Sequence, residues 1–181
     1  MKTNHPLLTP SRLALAAGLL IAAVSATSTC VADDATVKKA DKSFITNAYQ
    51  AGLAEIKMGD LAQNKTANTD VKTFASQMVT DHTKANEELK ALADSKKVEL
   101  PTDPSLVAQG KMKLADAKSG ADFDKTYAAD MVSDHKKVVA AFEKASSSAT
   151  DPDVKAFATK TLLTLQGHLS MAQDLQNKVG K

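Results

Sequence analysis

Past Pro10 the chain carries proline at only two places, Pro101/Pro104 and Pro152. Proline inside a helix removes a hydrogen bond and clashes with the preceding turn. The spacing therefore sets where a helical chain must break and leaves long stretches that need not. Those stretches are rich in Ala, Lys, Leu and Asp, without alternating β-branched runs, and read as helix throughout. Asp103-Pro104 and Asp151-Pro152 each read as an N-cap followed by proline at the first helical position. Asn68-Thr69-Asp70 offers another cap, and Ser119-Gly120-Ala121-Asp122 a stop and a restart. The expectation is four long helices, over about 36–64, 70–95, 122–147 and 152–178, with a shorter one over about 105–118. Two short loops make two antiparallel hairpins, and the long middle connection can run the length of a bundle. The predicted fold class is all-α, a four-helix ferritin-like bundle whose crossover contains the short helix.

The first stretch follows different rules. Lys2 and Arg12 flank a polar leader, Leu13 to Val24 is an apolar run, and small residues follow. The run is too short for a lasting membrane anchor, and the layout is that of a secretory signal peptide. Cleavage after Ala32 suits Cys30-Val31-Ala32, and cleavage after Ala26 suits Val24-Ser25-Ala26. The expected organisation is thus a cleaved signal over 1–32 and one helical domain over 33–181, exported to the periplasm or cell envelope. Thr27-Ser28-Thr29 is a poor lipobox for Cys30. No later stretch is long and apolar enough to anchor the cleaved chain.

Cleavage after Ala32 takes Lys2 and Arg12 from the 23 basic residues and none from the 21 acidic ones. The remainder is charge-balanced, with neither arginine nor cysteine. Arginine is the residue that reads phosphate and guanine bidentately, so nucleic acid is not an expected partner. A core without disulfides must hold the fold alone.

Two segments repeat a pattern: "MVTDHTK" from Met78 and "MVSDHKK" from Met131. Core positions of a bundle helix recur every three or four residues. On that spacing His82 falls in the seam of the second helix, His135 in that of the third, His168 in that of the fourth and Glu55 in that of the first. Counted from their loops, all four lie near mid-bundle, within about two turns of one another. Asp81 and Asp134 point about 100° off the seam, as solvated residues or as partners to the imidazoles. One ionisable seam residue from each of four helices points to an interior cluster, either a metal-free Glu–His network or a site for one ion. Met78 and Met131 are secondary candidate ligands. With Met58 and Met171 they fall one turn to the same side of the cluster, a layer that suits a soft ion. Imidazoles with one carboxylate suit zinc or copper.

The stretches "GLAEIKMGDLA" from Gly52, "FASQMVTDHTKANEELKALA" from Phe74, "FDKTYAADMVSDH" from Phe123 and "DVKAFATKTLLTLQGHLSMAQDL" ending at Leu175 carry a likeness. Together with Phe44 they resemble the bacterial envelope proteins catalogued as domain-of-unknown-function family 4142, a ferritin-like group. The resemblance implies a helical bundle in the cell envelope and no particular activity. True di-iron bundles use Glu-x-x-His pairs, whereas Val79, Val132 and Leu165 stand three before the histidines here, so di-iron chemistry is not expected. No nucleophile elbow, phosphate-binding glycine loop, cysteine pair or His-Glu-x-x-His motif is present, and no enzyme activity is expected. Two classes of function remain. One is an envelope protein binding a transition-metal ion at the Glu/His cluster. The other is a metal-free structural or stress-associated module acting on a protein partner.

Overall fold

The computed structural model describes residues 37–180; the expected signal peptide over 1–32, with Cys30, lies outside them. All regular structure among the described residues is helical. The helices are α1 (Lys39–Lys65), α2 (Thr69–Ser95), α3 (Leu106–Asp116), α4 (Gly120–Ser148) and α5 (Pro152–Val179). The long helices start and stop within a few residues of the expected positions.

Their starts follow from side chains that satisfy otherwise orphaned amides. Asn68 accepts from the amides of Asp70 and Val71, and Asp151 from those of Asp153 and Val154, with Pro152 opening α5. The expected Asp103-Pro104 start is corrected. Ser105 caps α3 by accepting from Ala108 N, and Pro104 is buried one residue outside. Asp103 is occupied elsewhere. Its carboxylate takes Lys57 at 3.1 Å and its carbonyl takes Gln50, which ties the connection to α1. Gly120 opens α4 at φ +54°, a conformation that costs side-chain-bearing residues energy.

Four helices pack in two close pairs, α1 with α2 and α4 with α5. Small residues make the first pair close. A Cβ on Gly59 would lie 2.7 Å from Val79 Cγ2 and 3.0 Å from the carbonyl oxygen of Ala75, and one on Gly52 would overlap Asn86 Oδ1. Polar contacts set how the pairs join. From one end of α2 to the other, Asp70, Glu88 and Lys96 meet Lys178, Lys160 and Asp153 of α5. The numbers fall as the partner's rise, so α2 and α5 are antiparallel. At one end of α1, the buried Asp41 accepts from Thr150 N and Oγ1 and Asp151 N. At the other, Thr66 Oγ1 donates to Asp124 Oδ1 at 2.5 Å. Helices α1 and α4 are therefore antiparallel too.

The core is in two pieces. One apolar cluster includes Met58, Met78, Phe123, Tyr127, Met131 and Leu175. The other includes Ile45, Leu89, Val139, Phe142, Phe157 and Leu165. On every long helix the residue numbers of Glu55, His82, His135 and His168 fall between the two clusters. All four are buried. A polar layer thus separates two oily ends. The expected layer of four methionines is reduced to three. Met58, Met78 and Met131 are buried together, while Met171 is 41% exposed. Residue 171 lies one turn from His168 but on the outward edge of α5, where Ala172 fills the seam instead.

Candidate metal centre

Helices α2, α4 and α5 bring one imidazole each to the middle of the bundle. Ring centroids of His82, His135 and His168 are 5.4–5.7 Å apart. One ring nitrogen from each lies within 4.8 Å of the other two. Three such points all lie within about 2.8 Å of a common centre, against about 2.0–2.1 Å for imidazole nitrogen bound to zinc. Closing that gap takes side-chain shifts of well under an ångström from each ring.

The outward nitrogens are already engaged. His135 Nδ1 is 2.9 Å from the carbonyl oxygen of Met131, and His168 Nε2 is 2.8 Å from Asp81 Oδ2. A carbonyl or carboxylate oxygen accepts, so both ring nitrogens must donate. The remaining nitrogens, His135 Nε2 and His168 Nδ1, are buried without a partner, as is His82 Nε2. This is how a ligating histidine is commonly held: the rear N–H on a carbonyl or carboxylate, the front lone pair free.

Burial keeps two of the imidazoles, those of His82 and His135, uncharged. It drives His82 down to about 3, helped by the neighbouring His135 and His168 and opposed by Asp81. It drives His135 down to about 4, against the pull of the Met131 carbonyl. Asp81 is held below the usual carboxylate range, because hydrogen bonds from Gln77 and His168 outweigh its partial burial. It is therefore an anion at neutral pH and a firm acceptor for His168.

Glu55 of α1 stands beside the triangle, not in it. Its Oε1 is 4.0 Å from His135 Nδ1, beyond hydrogen-bond reach, and its Oε2 is buried without a partner. Burial, reinforced by Asp134 and Asp130, pushes its carboxyl up to about 8 against the pull of Lys111. Glu55, His82 and His135, without His168, line a small cavity of about 20 Å³ on the Leu89 and Leu165 side of the layer, about the room one water or ion needs. Met78 and Met131 are buried on the turns preceding His82 and His135, within the apolar cluster that includes Phe74.

Two participants escaped the sequence reading. Tyr127 is buried with its hydroxyl unpartnered, and burial together with the nearby Glu55 carboxyl raises it well above its ordinary value. It lies two turns before His135 on the same face, so helical spacing held that signal. Lys111 of α3 bonds both Asp134 oxygens at 2.7 and 2.8 Å. Nothing in its local sequence marks it, because the contact depends on where the connection crosses α4.

The fold and the site define a class: all-helical bundles that enclose three imidazoles and a carboxyl between two apolar clusters. The chain belongs to the family described as Domain of unknown function (DUF4142), whose profile matches residues 26–175. No curated protein is significantly similar to it. In fold it is similar to the crystal structure of a DUF305 fragment from Deinococcus radiodurans, with a TM-score of 0.70 over 78% of this chain and 98% of that one. Identity is 10%, so the likeness is one of fold. No helix among the described residues is long and apolar enough to cross a membrane.

Proposed function

We propose that this chain is an exported helical-bundle protein that binds one transition-metal ion, zinc or copper, between His82, His135 and His168. The observation that carries this reading is a triangle of buried histidines, one ring nitrogen of each within 4.8 Å of the other two, on rings that each hold an unpartnered nitrogen. A buried polar atom left unsatisfied costs about 1–3 kcal/mol, and one ion would satisfy all three at once. A closed Glu–His network, the metal-free alternative, would have used these atoms up. Glu55 and the methionines Met78 and Met131 are the candidates for a fourth position, the carboxyl for zinc and a thioether for copper(I). A Glu-x-x-His pair is missing on each His-bearing helix, which argues against a di-iron centre.

The topology we infer is ferritin-like. With α1 antiparallel to both α2 and α4, helices α2 and α4 point the same way, and the connection carrying α3 must traverse the bundle. Export rests on the signal-like leader alone. Mass spectrometry of the mature N-terminus tests it, and a protein that keeps Met1 in the cytoplasm ends that part of the reading.

For the metal, tag-free protein and His135→Ala are titrated with Zn(II), Cu(II) and Cu(I). The wild type should take up one equivalent, and the variant should lose at least tenfold in affinity. Equal, weak uptake by both returns the cluster to a structural role.

A further inference from the structure

Glu55 faces two spaces. On one side it lines the small cavity with His82 and His135. On the other it lines an open groove of about 320 Å³ between α1, α3 and α4, bounded among others by Gln50, Ser105, Ala108 and Asp134. The carboxyl is therefore a shared wall between solvent and the imidazoles. It is 94% buried, and its unpartnered oxygen has no competing ligand among the described residues. Two more carboxylates stand nearby on α4, each half-buried: Asp134 lines the groove, and Asp130, one turn earlier, reaches the Lys111 ammonium that also lines it. An ammonium occupies them. Lys111 Nζ is 2.7 Å from Asp134 Oδ1 and 3.5 Å from Asp130 Oδ1, and Lys137 also reaches Asp134 at 3.3 Å.

Helix α3, which carries Lys111, is lightly held. Ala115 is its one fully buried residue, and Leu106, Val107 and Leu114 face outward. Met112 packed against the core, Lys65 on Asp116 and the Lys111 ion pairs are what fasten it over the groove.

Building on the reading of the imidazole triangle as a metal centre, we propose that this groove is the route by which a divalent cation reaches it. The incoming ion exchanges for the Lys111 ammonium at Asp130 and Asp134, and the Glu55 carboxyl then passes it through the small cavity it shares with His82 and His135. The exchange is electrostatically sound. Two carboxylates hold a doubly charged ion more strongly than a single ammonium at the same distance. A route lined by carboxyl oxygens also lets a hydrated ion shed water stepwise instead of all at once. The far side of the triangle offers no such path, since Asp81 is committed to His168 and Gln77.

The test is stopped-flow uptake of Co(II), whose visible bands report imidazole coordination, into the full chain, followed by displacement with Zn(II). Lys111→Met removes the ammonium that bridges the two carboxylates, freeing Asp130 and leaving Asp134 with Lys137 alone. Filling and emptying should both speed up about fivefold, the effect of losing a part-exposed ion pair. Asp130→Asn combined with Asp134→Asn leaves the ammonium and removes its anions, and filling should slow by a similar factor. The final cobalt spectrum should be the same in all three proteins, because the ligands are untouched. Opposite changes in rate at constant spectrum are not produced by general loosening of α3. If the double variant fails to fold, Lys111→Met decides alone. Wild-type rates in the variants, with the cobalt bands present, overturn the route and leave the metal centre standing. A wild type without cobalt bands overturns the centre and the route together.

Discussion

At the scale of single residues, Asp81 and Asp134 show how one sequence pattern acquires two roles. Both follow a Val-Thr or Val-Ser pair, both precede a buried histidine, and both leave the helix about 100° off the seam. Asp81 points toward α5 and holds His168 by its Nε2. Asp134 points toward the connection and holds Lys111. That the histidines face inward was legible, because helical spacing alone decides it. Which aspartate serves a ring was not, because that depends on the neighbouring helix. The carboxylate of Asp81 fixes the tautomer that leaves His168 Nδ1 free. Asp81→Asn keeps the size and loses the charge, so its one carbonyl oxygen accepts from His168 and Gln77 more weakly than the carboxylate does. Zinc affinity should fall by about 10–100-fold, with helix content by circular dichroism unchanged. An affinity equal to that of the wild type would mean that His168 does not need its rear partner.

Among the helices themselves, periodicity and capping chemistry carried most of the reading, and the failure at Asp103-Pro104 is instructive. An Asp-Pro pair caps a helix only when its carboxylate is free to reach the amides ahead. Asp103 is taken by Lys57 and Thr102, so Ser105 does the work. Local signals cannot report a partner 46 residues away. Glycine carries a sharper prediction at this scale. Alanine is the better helix former by about 1 kcal/mol, and Gly167 on α5 has open space where a Cβ would go. Gly167→Ala should therefore stabilise the protein by up to about 1 kcal/mol. Gly59→Ala has the same propensity gain but drives a methyl into Val79 and the backbone of Ala75. Overpacking of this kind costs about 1–3 kcal/mol, and a backbone oxygen cannot move aside, so the net effect should be destabilising. Urea denaturation of the two variants should show shifts of opposite sign.

For the whole molecule, the division of the core by a polar layer governs how stability responds to pH once metal is chelated away. His82 and His135 sit near 3 and 4 in the folded chain, against about 6.5 when unfolded. Below about 6.5 the unfolded chain takes up protons that the folded one refuses, so these two groups lower stability as pH falls. Glu55 acts in the opposite sense. Its folded carboxyl sits near 8 against 4.5 unfolded, so its contribution is present in acid and is lost as pH rises from about 4.5 to 8. Between those limits and 6.5 two imidazoles outweigh one carboxyl, and above 6.5 the carboxyl acts alone. Urea midpoints measured with a chelator present should peak near pH 6.5 and fall on both sides, by at most about 2 kcal/mol toward pH 8. A flat profile between pH 5 and 8 would show that the layer is solvated. The layer was legible because each helix put one ionisable residue where an apolar one was due. The loss of Met171 from the methionine set was not, since position 171 lies on a seam's edge and only the fit of α5 against its neighbours decides which side it takes.

The same layer bears on alignment. Where alanine and methionine meet in the seams, as at Ala62, Ala75, Met78 and Met131, the surfaces are smooth and adaptable, and helices can slide past one another by a turn, about 5.4 Å, at reduced cost in apolar contact. Here a slip of one turn in any of the three His-bearing helices would carry an imidazole out of its own level and press it against Leu165, Leu89 or the methionines. Nothing there can answer its nitrogens. The buried polar level works as a notch cut across the rods. It penalises every offset but one, and so adds to the shape of the large side chains in holding the helices in a single arrangement.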